Sequence, residues 1–107
     1  MPKIMAAVSI SPVGAGVSVS RFVAEAIRVL QNQDRVEYEV GPMFTTLLGE
    51  AEDVFQTIRE MQEAVFRAGA VRVSTVIKMD ERRDKEPSLH SKVQRVLEQL
   101  HKEEPHA

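Results

Sequence analysis

Between Lys3 and Ser11 the chain sets apolar side chains on both faces of an extended segment: Ile4, Ala6, Val8 and Ile10 on one, Met5 and Ala7 with Ser9 on the other. A strand apolar on both sides belongs in the middle of a sheet, so other elements must flank it and cover its faces. The rest of the chain supplies them. From about Val19 to Gln33, Phe22, Val23, Ala26, Ile27 and Leu30 recur at helical spacing. Val36 to Val40 alternates apolar and acidic residues, Gly41-Pro42 makes a turn, and Met43 to Gly49 reads as a second extended run, an antiparallel pair. Val54, Ile58, Met61, Val65 and Ala68 form the stripe of a second helix stopped by Gly69. Val71 to Met79 alternates as a fourth strand. A charged turn, Asp80 to Lys85, leads to a last helix opened by Pro87-Ser88, with the stripe Leu89, Val93, Val96, Leu97 and Leu100.

This order, βαββαβ plus a C-terminal helix, places both crossover helices on one side of an antiparallel sheet. The expected fold is α+β, a ferredoxin-like plait in a single domain over residues 1–107, with a frayed tail from about residue 102. Its helix-free face collects Met5, Ala7, Ser9 and Val76, with Phe44, Thr46 and Leu48 as the third-strand candidates. Such an apolar patch is seldom left in water on a monomer, so the chain is expected to cover it by self-association, as a homodimer or homotetramer, or with a ligand.

Composition removes whole classes of function. The chain has no cysteine, which excludes disulfides, thiol catalysis and cysteine-ligated metal centres. A formal charge of −2 argues against a nucleic-acid surface built on general attraction. No run of about eighteen apolar residues and no charged-then-apolar leader is visible, so neither a membrane span nor secretion is expected, and a cytoplasmic location follows. Phe22, Phe55 and Phe66 fall on expected core positions, leaving Tyr38 and Phe44 as stacking platforms.

The segment Ser9 to Ser20 joins strand to helix through a hydroxyl-rich loop. Gly14 and Gly16 permit positive φ and close approach, and Ser18 or Ser20 can cap the helix. Such a loop either grips a small polar or anionic ligand at a helix N-terminus or only connects two elements. Gly16-Val17-Ser18 lacks the lysine of a P-loop, and a dinucleotide fingerprint lacks its third glycine. Glu37 and Glu39 share a face, where alternating acids are usual on a solvated edge. His90, His101 and His106 lack metal-ligand spacing, and no catalytic constellation can be assembled, so neither catalytic nor metal residues are expected. In Asp80-Glu81-Arg82-Arg83-Asp84-Lys85 the cations serve either as a solvated turn or as a grip on a carboxylate, a phosphate or a neighbouring subunit.

Pro12-x-Gly14-x-Gly16-x-Ser18-Val19-Ser20, then Tyr38-Glu39-x-x-Pro42-Met43-x-Thr45, then Arg82-Arg83-Asp84-Lys85 occur in this order. Together they resemble the small thiamine-binding protein family, often called YkoF-like, over nearly the whole chain. The resemblance implies ferredoxin-like subunits in dimers or tetramers that bind thiamine or its hydroxymethylpyrimidine half, with no required cofactor and no demonstrated reaction. Carried over by position, Ser9, Ser11, Gly16, Ser18, Met43 and Thr45 would border the ligand, with Arg83 nearby. The family pattern favours glycine after Pro-Met and an acid shortly after the threonine, where this chain has Phe44 and Leu48. Phe44 therefore either stacks on a ligand ring or partly fills the pocket. Non-catalytic binding of a small molecule is the expected function. Alternatives are a regulatory or interaction module whose open sheet only mediates assembly, and an enzyme using Tyr38 or the loop serines.

Overall fold

Ile4, Ala6, Val8 and Ile10 are all buried, and the strand that carries them, β1 (Lys3–Pro12), lies between two others as its two apolar faces require. The computed structural model describes residues 2–16 and 19–103, the side chain of Glu103 excepted. After β1 come α1 (Ser20–Gln31), β2 (Glu37–Val40), β3 (Thr45–Glu50), α2 (Ala51–Arg67), β4 (Val73–Glu81) and α3 (Ser91–Glu103). The sheet order is β2-β3-β1-β4, antiparallel throughout, which is the ferredoxin-like plait with an added C-terminal helix.

The helical layer is built by period. Phe22, Ala26 and Leu30 of α1, and Val54, Ile58, Met61 and Val65 of α2, pack on the inward side chains of β1 and on Leu47 of β3. Each such large side chain removed from water contributes about 1.5–3 kcal/mol. Helix α2 ends in a Schellman motif: Gly69, with φ +115°, donates from N to Phe66 O at 2.9 Å, and Ala70 N reaches Val65 O at 3.4 Å. The stop expected at Gly69 is there. Phe55 departs from expectation, being 52% exposed, because it stands one position from Val54 and so about 100° off the buried stripe. Phe66 is exposed for the same reason, next to Val65.

Register puts Met5, Ala7, Thr46, Leu48, Glu37, Glu39, Val76, Lys78 and Asp80 on the helix-free face. That face is not wholly open. Leu48 is only 2% exposed there, because the segment leaving β4 turns back across the sheet. Glu86 pairs with Lys3 at 3.2 Å, His90 Nδ1 lies 3.6 Å from Glu39 Oε2, and Lys92 pairs with Asp80. Turn residues Ser88 and Ser91 lock the entry to α3, with Ser91 N donating to Ser88 Oγ at 3.1 Å. Leu89 therefore precedes the helix instead of lying in it. Beyond Lys92 the helix leaves the body. Its stripe Val93, Val96, Leu97 and Leu100 is 47–59% exposed, and the radius of gyration is 16.5 Å, where about 13 Å is usual at this length. Residues 102 and 103, expected in a frayed tail, continue α3.

Candidate functional site

Two ladders of unequal length open a cleft at the C-terminal end of β1. Its pairing with β3 stops at Val8↔Thr45, whereas its pairing with β4 continues to Pro12↔Val73. One edge of Ser9–Pro12 therefore has no strand beside it. Backbone donors and acceptors along such an edge seek partners. The β2–β3 hairpin folds over this gap. At its tip a Cβ on Gly41 would stand 2.4 Å from Phe44 O, so only glycine lets the turn close this tightly.

The gap is a cavity of about 230 Å³ lined by Ser9 and Ser11 from β1, by Val40, Gly41, Pro42, Met43 and Thr45 from the hairpin, and by Val19 at the start of α1. Ile27 of α1 and Met61 of α2 make its floor. Four positions named from the sequence, Ser9, Ser11, Met43 and Thr45, thus meet in one place. Ile27 and Met61 escaped the sequence reading because their spacing marked them only as core. The lining is mostly apolar, with Ser9, Ser11 and Thr45 as its hydroxyl-bearing residues, and among the described residues it contains no Asp, Glu, His, Lys or Tyr side chain.

Gly16 lies in the loop between Ser11 and Val19, both of which line the cavity; Gly14 and Gly16 adopt φ of +81° and +96°, the region glycine enters without strain. Ser18 lies outside the described residues. Val19 is the N-cap of α1, with Ser20 the first residue of the helix, and among the described residues no side-chain oxygen caps it. Phe44 is half-buried just before β3 and does not line the cavity, so within one subunit it neither stacks over the site nor fills it. The turn after Gly41 directs Met43 there instead.

Arg83 is the clear correction. It follows β4, whose last residue pairs with Ile4, so it stands at the other end of β1 from Ser11. Seven residues of strand separate the two levels, roughly 23 Å. There Arg83 shares a second cavity, about 440 Å³, with Lys3, Arg82 and Lys85. Arg82 grips Asp84 through two hydrogen bonds of 2.7 and 2.5 Å, which hold the Asp84 carboxyl well below the usual carboxylate range and raise the guanidinium above its own. Arg83 Nε donates to Glu81 at 2.7 Å. A wider concavity, about 930 Å³ between α1 and α2, is a different matter. Part of its charged wall is paired, Arg28 with Glu25 at 3.1 Å and Arg35 with Glu60 at 2.8 Å, and none of the expected site residues lines it.

Comparison with known proteins agrees with this fold. Residues 6–97 match the family described as "Thiamine-binding protein". The UPF0045 protein YqgV of Bacillus subtilis is 39% identical over 100 residues, 90% of this chain and 96% of its own length. A UPF0045 protein of Methanocaldococcus jannaschii is 36% identical over 98 residues, and its crystal structure superposes with a TM-score of 0.82 over 92% of this chain and 99% of that one. A Thermotoga maritima structure, described as that of a candidate thiamine biosynthesis/salvage protein, has a TM-score of 0.74 over 89% of this chain and 99% of its own; at 21% identity it bears on the fold only.

Proposed function

This chain belongs to the thiamine-binding protein family, and we propose that it takes the pyrimidine ring of thiamine, or of a related hydroxymethylpyrimidine, into the cavity between β1, the β2–β3 hairpin and α1. The observation that carries this reading is the unpartnered edge of Ser9–Pro12 beside Thr45 in an otherwise apolar pocket that Ser9 and Ser11 also line. A pyrimidine has two flat apolar faces and a rim of donors and acceptors. Met43 at the mouth offers a polarisable thioether to a ring face, while hydroxyls and backbone meet the rim. At about 230 Å³ the cavity is smaller than the roughly 300 Å³ at which drug-sized sites begin, so it holds one ring and leaves the remainder of the ligand outside. Binding without turnover suits a lining with no titratable side chain among the described residues, and no cofactor is needed for it.

Self-association belongs to the same proposal. The α3 stripe of Val93, Val96, Leu97 and Leu100, and the exposed Val76 on the helix-free face, are apolar surfaces of one chain that a second copy would cover. We place the protein in the cytosol, and no described helix is long and apolar enough to cross a membrane. The exposed α3 stripe alone would also suit a module that only assembles. Calorimetric titration of ligand-stripped protein with thiamine and with hydroxymethylpyrimidine separates the two. Saturable binding, with the pyrimidine half retaining most of the affinity, is expected; a stable assembly that binds neither compound leaves the module reading.

A further inference from the structure

The second cavity, where β1 begins and β4 ends, concentrates charge in a way the pyrimidine site does not use. Lys3, Arg82, Arg83, Lys85 and Glu86 line it, with Pro2 and Pro87 as walls, and the charge of Arg95 on α3, outside the lining, reaches Lys85. Three of these five cations are each held by one carboxylate: Lys3 by Glu86, Arg82 by Asp84 and Arg83 by Glu81. Those bonds orient the side chains without exhausting them. Arg82 uses Nε and Nη2 on Asp84 and Arg83 uses Nε on Glu81, so guanidinium N–H donors remain on both. Lys85 and Arg95 have no carboxylate at ion-pair distance among the described residues.

We propose that this cavity binds a phosphate-class anion, held by Lys85 and by the spare N–H groups of Arg82 and Arg83. Charge and geometry both favour it. The four cations of the lining outnumber the three carboxylates that hold them, and the charge of Arg95 adds to the excess. Planar guanidinium forks and a compact ammonium are the donors that suit tetrahedral oxyanions. The Lys85 ammonium is already disfavoured, first by burial and then by Arg95 and Arg82, so an anion between them relieves a repulsion that the chain itself leaves standing. The site is independent of the pyrimidine pocket, roughly 23 Å away along β1.

The test is a titration of the full chain with inorganic phosphate at constant ionic strength, followed by calorimetry and by ³¹P chemical shift, with glycerol phosphate in a parallel arm. Saturation at one equivalent per chain is expected. Binding should weaken about tenfold or more in Lys85→Gln, the loss of one charge-assisted hydrogen bond, and should persist in Lys85→Arg. Arg59→Gln removes the same charge from α2, where Arg59 pairs with Glu63, and should leave binding unchanged. Tighter binding of glycerol phosphate assigns the site to a phosphomonoester, and equal binding to the free ion. A titration that never saturates, or one indifferent to Lys85→Gln, overturns the proposal.

Discussion

Lys92 on α3 donates to the Asp80 carboxylate on β4, a bond that fastens the first turn of the last helix to the helix-free face of the sheet. The hydrogen bond and charge of Lys92 hold the Asp80 carboxyl below its ordinary range. A carboxylate depressed in the folded state stabilises it above the unfolded pKa, about 3.9, and that contribution fades as pH falls through the folded value. Asp80 should therefore titrate below about 3.9 by carboxyl ¹³C NMR. In Lys92→Met the midpoint should move back up. No movement would mean that the pair does not persist in solution.

Ser11→Ala removes the hydroxyl of a cavity-lining residue and leaves the β1–β4 ladder intact, since Ser11 pairs with Ser74 through backbone. Thiamine affinity should fall by about 1 kcal/mol, the net worth of one hydrogen bond, with the melting temperature nearly unchanged. Arg83→Ala, by contrast, should leave thiamine affinity untouched. Calorimetry on the two variants side by side checks both halves.

Leu97→Asp places a carboxylate in the middle of the exposed α3 stripe. If that stripe meets a second copy, sedimentation should shift from dimer or tetramer to monomer, while circular dichroism of the subunit stays native. Val76→Lys tests the helix-free face in the same run. Wild-type protein that already sediments as a monomer at micromolar concentration would reject self-association.

Thr57 is fully buried on α2, and its hydroxyl has no hydrogen-bond partner among the described residues. An unsatisfied buried hydroxyl is costly, and valine has nearly the same shape. Thr57→Val should stabilise the fold by about 1 kcal/mol in urea denaturation, with an unchanged m-value. A loss of stability would show that the hydroxyl is satisfied in solution.

Local pattern determined a good deal of this protein. The two-faced apolar run of β1, the 3.6-residue stripes of α1 and α2, the glycine stop at Gly69 and the parity of Met5, Ala7 and Val76 follow from the periods of strand and helix, which depend on neighbours along the chain. The order of elements then leaves few topologies, so the plait and its helix-free face were legible as well. Ser9, Ser11, Met43 and Thr45 could be named in advance only through resemblance to a family. What joins them is the unequal length of the β3 and β4 ladders, a relation between strands distant in sequence. The same holds for the misplacements. Arg83 follows the end of β4, and antiparallel pairing carries that end to the start of β1, away from the serines. Phe55 and Phe66 are apolar by composition yet lie outside the buried arc of α2, which only packing against the sheet defines. Whether the last helix would lie on the body or leave it was decided by the turn-back at Glu86–Lys92, where ion pairs of residues far apart in sequence outweigh any signal in the stripe itself.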